Sequence, residues 1–521
     1  MSTARILSEQ TPPLPSETSF LQTLPRTLGT GEMTCIYVMI IFFITNAATA
    51  ATGGLAGITY WLLGLTFFLP CVLVTAQLGR MYPYEGGLYN WTYRALGPFW
   101  SVLVALCFWF PGILATTSAA DSFVSYLQGL NGHWLIEPWQ QGVVVMALLL
   151  FAALFACLPT RMVHRVVTLA TGMVFVSITL IGLAATVWLL SGKPSATDFG
   201  HWGEWSVNPG NYGIFGLITL AYLGVNVPLN MGGEVNGRRA ATRHLLWGSL
   251  LVVIGYLVST VSLLIVRGPA VLNASVLPFE LVSTVDVVFG KFAGNVTAIG
   301  ILVLFAMIPV VYFNAFSRLI LCLAVDKRIP IDLANRLTKL NRRGVPVRIL
   351  LLQGLLAETF TALAFFACPY LLRVGKPSDL AVIFYNVSLS TLTLLWAFAT
   401  VFLFLVFIKL YFRDQQAFQR ERQLTRALLW ASVVVGPLAC LLAIVDTLFN
   451  SWIPQLLPNA QWTASVGIST AILIVVGVLV TLFSCEAARS AELMRDLYDA
   501  AESLDFDELK RTVESGMKRD T

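Results

Sequence analysis

Charge is scarce in this chain. Lys, Arg, Asp and Glu together make up 12% of its 521 residues, about half of what soluble domains carry. Histidine occurs four times, at 133, 164, 201 and 244, widely separated and in loops or at helix ends. Cysteine occurs eight times, always within or beside apolar segments, with no CxxC or Cys/His ligand spacing. These shortages argue against a metal centre or a disulfide framework. HExxH, GxSxG and P-loop patterns are also missing, which leaves an enzyme unsupported. No repeated filter-like segment or ring of pore charges points to a channel. Residues 1–33 contain no short apolar run followed by a small-residue cleavage site, so the first apolar segment reads as an uncleaved anchor.

What remains is apolar. Hydrophobic residues are 57% of the chain, and they fall into twelve segments near 34–51, 56–77, 98–127, 140–158, 166–191, 213–233, 245–266, 294–323, 348–368, 380–411, 427–449 and 463–484. A run of about 20 apolar residues spans the hydrocarbon core as a helix, so the pattern predicts an all-α membrane protein with twelve spans. Of its 33 Lys and Arg residues, 28 fall on the side that carries both termini and five on the other. Basic loops stay inside, so both termini are expected to be cytoplasmic, in a multi-pass protein of the plasma or inner membrane. The net charge of +5 reflects that bias and implies lipid, not nucleic acid, as neighbour. The expected organisation is a mobile arm over 1–30, a membrane domain over 31–485 and a cytoplasmic tail over 486–521. Helical spacing of Leu, Met, Tyr and Phe makes the tail read as a surface amphipathic helix or pair.

The sixth segment is the least regular. It holds Gly224, Asn226, Pro228, Asn230, Gly232 and Gly233 within ten residues. Pro removes a helical donor and Gly weakens a helix, which predicts an unwound stretch near Leu223–Val227. Broken membrane helices are tolerated where they line a cavity. In a five-plus-five inverted repeat the partner of the sixth span is the first. The first has polar Thr45, Asn46 and Thr49 toward its far end and an apolar middle.

Three stretches resemble the amino acid–polyamine–organocation permeases. Residues 76–99, AQLGRMYPYEGGLYNWTYRALGPF, are similar to that family's loop after helix two. Residues 221–239, AYLGVNVPLNMGGEVNGRR, look like its sixth helix. Residues 312–346, YFNAFSRLILCLAVDKRIPIDLANRLTKLNRRGVP, resemble the end of its eighth. ATGG at 51–54, EGG at 85–87 and GVN at 224–226 are closest in look to the glutamate/GABA-antiporter-like branch. The resemblance implies the LeuT-like five-plus-five fold, with spans eleven and twelve outside the repeat. It implies a substrate site between spans one, three, six, eight and ten, worked by alternating access, where half-helix N-termini can hold a carboxylate.

Carried onto this chain, the family pattern places the first-span break at Val38, Met39, Ile40 and Ile41, where the family has small residues; a break at Thr45–Thr49 is the other register. Tyr222 and Gly224 stand beside the sixth-span break. Asn226 occupies a position where several antiporters have Glu, and Asn cannot titrate. Trp109 either borders the site or packs. Tyr385 and Asn386 either line the cavity or bond between helices. Asn314 and Ser317 are read as holding the cytoplasmic gate with Arg318, Glu358 as a packing residue bonded to backbone or Gln353, and Asp121 and Asp446 as interfacial. No Lys in the fifth span and no central Ser/Thr pair in the eighth leave exchange or uniport as the expected mode. The function expected is secondary transport of amino acids or related amines without a cofactor; a non-transporting sensor or complex subunit on the same scaffold is the alternative.

Overall fold

The computed structural model describes residues 14–23, 26–208, 210–274, 276–371, 377–422 and 424–503. Among these the chain is all-helical. Eleven helices are long and apolar enough to cross a membrane, and the bent pair Thr30–Ile41 and Thr45–Ala51, at 47°, makes twelve spans. The others are Leu55–Met81, Pro98–Leu130, Pro138–Ala156, Thr160–Leu190, Gly213–Glu234, Arg238–Val266, Lys291–Val325, Val347–Tyr370, Pro377–Arg413, Arg426–Phe449 and Asn459–Ser503. Apart from the last, which runs on past its apolar part, the ends fall within about two helical turns of the sequence expectation.

Burial separates the spans into layers. The third, sixth and tenth are 78% buried over their most apolar window and the eighth 72%, against 17% for the twelfth. The central four therefore surround whatever the protein encloses, and the twelfth lies outside. On the eleventh span Leu438, Leu441, Leu442 and Val445 face outward, as a lipid-facing helix requires.

The described part of the segment before the first span makes contacts with the membrane domain. The Ser16 N–H and hydroxyl both donate to Asp326, each at 2.8 Å. Leu28 exchanges backbone bonds with the end of the sixth span, accepting from Asn236 at 2.8 Å and donating to Glu234 at 3.0 Å. Charged partners explain this: a short arm with Ser16 and Glu17 meets Asp326 and Arg94 on one surface. That surface, which carries both ends of the described chain, is called the terminal face below. The tail expectation meets a helix that continues to Ser503; residues 1–13 and 504–521 lie outside the described residues.

Where the first span's second half meets the second span, backbones touch. A Cβ on Gly57 would sit 2.1 Å from the Ala50 carbonyl oxygen. Backbone cannot rotate away as a side chain can. Gly57→Ala should therefore destabilise the fold by about 1–3 kcal/mol, read as a lower unfolding temperature of purified protein in detergent.

Candidate functional site

Two helices break at mid-depth. The first breaks at Phe42–Ile44, one turn beyond the expected Val38–Ile41 and short of Thr45–Thr49. Phe42 leaves the helix at φ −85°, ψ 88° while its N–H still bonds Val38 at 2.8 Å. The reason lies elsewhere in the chain. The Tyr312 hydroxyl donates to the Ile40 carbonyl at 2.8 Å, and the Tyr256 hydroxyl donates to Ile41 at 2.7 Å. The Tyr256 oxygen also accepts from Phe43 N–H at 2.9 Å. Two tyrosines from the seventh and eighth spans thus replace the helical partners lost at the break, so small residues are not needed there.

Tyr256→Phe should leave those groups poorly paired, at about 1–3 kcal/mol per stranded group. Tyr312→Phe removes only one bond and should cost less. Thermal unfolding of both variants tests this ranking; equal losses would show that the hydroxyls do not hold the break.

The sixth span breaks where Gly, Asn and Pro accumulate. Its first half ends at Tyr222. Leu223 is extended at φ −75°, ψ 160°, and Gly224 sits at φ +93°, a region glycine enters without steric cost. A 3₁₀ segment, Val227–Glu234, then carries Pro228 in its first turn, where no donor is missed. A Cβ at Gly224 would touch Ile40 at 3.4 Å and Trp396 at 3.7 Å, so the two breaks abut.

Between the breaks and the face opposite the termini lies a cavity of about 330 Å³, the size of a small-molecule pocket. Ser118, Asp121, Ser122 and Ser125 line one wall, one face of the third span at i, i+3, i+4 and i+7. Thr45, Asn46 and Thr49 of the first span join them, and Leu217, Leu220 and Leu223 of the sixth form an apolar wall. Tyr312 and Trp396 close the floor, their rings near-parallel at 6.2 Å. Trp396 is fixed there by donating its indole N–H to Phe108 O at 2.8 Å. Leu277, Pro278, Trp452 and Ile453 form the rim. Among the described residues the lining contains one carboxylate, Asp121, and no Lys, Arg or His.

The residues singled out from sequence divide on this geometry. Ile40, Ile41, Tyr385 and Asn386 line the cavity, and the Tyr385 hydroxyl bonds Ser118 at 2.7 Å. Val38 and Met39 are buried in the helix before the break, off the cavity wall. Tyr222 is also off it: its ring stacks on Phe68 at 4.5 Å and meets Trp61 edge-on, tying the sixth span to the second. Gly224 shapes the break without lining the cavity, and Asn226 is buried at the head of the 3₁₀ segment, beyond the kink. Trp109 turns to the ninth span. With the Gln353 amide oriented to satisfy both neighbours, its oxygen accepts from Trp109 Nε1 at 2.8 Å and its nitrogen donates to Phe313 O at 3.1 Å. Gln353 is thus committed elsewhere, and one buried Glu358 oxygen has no hydrogen-bond partner.

Asp121 is the main correction. It belongs to the cavity, not the membrane interface, because the third span runs on to Leu130. The serine–aspartate stripe on that helix was the available signal.

The terminal face is closed by ion pairs, one of them fully buried. Arg318 Nε donates to Glu234 Oε1 at 2.6 Å with both side chains 2% exposed. Arg94 pairs with Glu17, and Arg80 with Glu421 at 3.0 Å. Arg318 does this without its expected helpers: Asn314 and Ser317 bond their own helix at Val310 and Asn314.

Comparison with known proteins agrees with this architecture. The family model described as amino acid permease matches residues 27–483. An uncharacterised transporter of Legionella pneumophila is 24% identical over 356 residues, 65% of this chain and 73% of that protein. The inner membrane transporter YjeM of Escherichia coli is 24% identical over 250 residues, 43% of this chain and 49% of YjeM. A probable polyamine transporter of Arabidopsis thaliana is 29% identical over 110 residues, 21% of this chain and 22% of that protein. With two abutting helix breaks above a sealed face and a family match across most of its length, the chain belongs to the amino acid permease family of multi-pass membrane transporters.

Proposed function

We infer that this transporter moves a small amine, or an amino acid held by its amino group, by alternating access. The carrying observation is Asp121. Among the described residues it is the only ionisable carboxylate on a cavity wall that otherwise offers hydroxyls, amides and apolar surface, with no cationic side chain in that lining. A carboxylate away from bulk water favours a cationic partner, and a ligand ammonium supplies one. The polyamine-transporter names of the Arabidopsis relative and of rice PUT1, 33% identical over 87 residues, favour the same class.

The bias of Lys and Arg toward the terminal face supports a cytoplasmic position for that face. The conformation described here then offers its cavity to the outside of the cell or to an equivalent compartment. The test is exchange in liposomes preloaded with diamines, cationic amino acids or neutral amino acids. Amine-dependent exchange, strongest for ligands without a free carboxylate, is the expected result. Exchange confined to carboxylates lacking an amine would overturn the assignment. Absence of exchange together with absence of any ligand-induced thermal shift would favour a sensor or subunit role.

A further inference from the structure

The terminal face encloses a second polar site that substrate recognition does not use. The loop after the second span enters beneath the 3₁₀ half of the sixth. Gly86 N–H donates to Asn230 O at 3.1 Å. The approach depends on glycines: a Cβ on Gly232 would lie 2.5 Å from Tyr84 O, and one on Gly233 would lie 3.0 Å from Glu85 Cγ. The loop thereby carries Glu85 into the interior, 3% exposed, with neither carboxylate oxygen forming a hydrogen bond of good geometry. Facing it are Glu234 from the sixth span and Arg318 and Cys322 from the eighth, with His164 of the fifth and Asp326 farther out. Arg318 spends its Nε on Glu234, and its Nη1 has no partner.

Two carboxylates therefore share one guanidinium. With both ionised, the site holds an uncompensated negative charge away from water, which is far costlier than a neutral acid. We propose that Glu85 is a proton-binding site on the gate of the terminal face, and that the bound proton keeps that face shut. The inference rests on the transporter reading for its meaning, though not for its measurement.

The direction of the pH effect follows from linkage. In the closed state burial pushes the Glu85 carboxyl well above its ordinary value; Glu234 pushes the same way, and Arg318 and the Gly233 backbone oppose it. Once the loop withdraws and water enters, that carboxyl returns toward the ordinary carboxylate value. The closed state thus binds the proton more tightly. Acid favours closure, and closure weakens as pH rises from the ordinary carboxylate value toward the raised one, by up to about tenfold in the open-to-closed ratio per pH unit.

Cys322 is a built-in reporter. It is fully buried, and a Cβ on Gly86 would lie 2.9 Å from its sulfur, so the loop covers it. The experiment uses the full chain in nanodiscs, with the other seven cysteines replaced by serine. The maleimide labelling rate of Cys322 is divided by that of the SDS-unfolded chain at the same pH, which cancels thiol ionisation. This ratio should climb at least about tenfold between about pH 5 and pH 8. Glu85→Gln, which mimics the protonated acid, should keep it low and flat. Glu234→Gln frees Arg318 for Glu85 and should move the rise to lower pH, which serves if Glu85→Gln folds poorly. A flat ratio in the parent, a rise that survives Glu85→Gln, or a rise unmoved by Glu234→Gln overturns the proposal. Labelling requires no substrate, so a failure of transport alongside pH-dependent labelling would count against the transport reading alone.

Discussion

Asp121→Asn should weaken binding of an amine ligand by roughly 30- to 5,000-fold, the equivalent of about 2–5 kcal/mol for truncating a charge partner. The substitution keeps shape and hydrogen-bonding capacity and removes only the negative charge. Among the described residues the cavity holds no second carboxylate to take over. Ser118→Ala and Ser122→Ala remove neutral groups from the same stripe and should cost no more than about tenfold each, as a single neutral hydrogen bond does. The discriminating measurement is ligand titration of the thermal unfolding midpoint, which reports binding without requiring turnover. An Asp121→Asn protein that keeps parental affinity would show that the ammonium is held elsewhere. A variant that fails to fold would show itself as loss of a monodisperse peak before any titration.

The stripe around Asp121 illustrates what could be read from the chain and what could not. The twelve spans were legible because apolar length is a local property. The sixth-span break was legible because Gly224, Pro228 and their neighbours weaken a helix wherever they stand. The first-span break had no such signature. Phe42 and Phe43 look like ordinary helix, and the groups that permit the break belong to Tyr256 and Tyr312, more than 200 positions away. Asp121 was visible as a residue but misplaced in depth. It lies nine residues before the end of the third span, about 13 Å below that end at 1.5 Å per residue. Trp109 and Tyr222 were recognisable as aromatics near the breaks, yet their use depended on helix rotation, which sequence spacing does not set. One looks toward Gln353 and the other toward Phe68, both away from the cavity.

The second large effect is expected at Arg318. Arg318→Met replaces the guanidinium with an apolar side chain and leaves Glu234 and Glu85 facing each other in a buried site. Breaking a buried pair from one side costs about 3–5 kcal/mol, because the remaining charge has neither water nor partner. Near neutral pH the variant should unfold at lower temperature than the parent, and Cys322 should label faster. Acidic buffer should recover much of the loss, since protons can neutralise the stranded carboxylates. A loss of the same size at every pH would instead point to the Arg318 side chain as packing volume. The decisive comparison is the triple variant Glu85→Gln, Glu234→Gln, Arg318→Met. Neutralising all three groups leaves no buried charge without a partner. The triple variant should therefore regain the stability that Arg318→Met loses, while Cys322 labelling no longer responds to pH. Recovered stability with a retained pH response would locate the proton on a group other than Glu85.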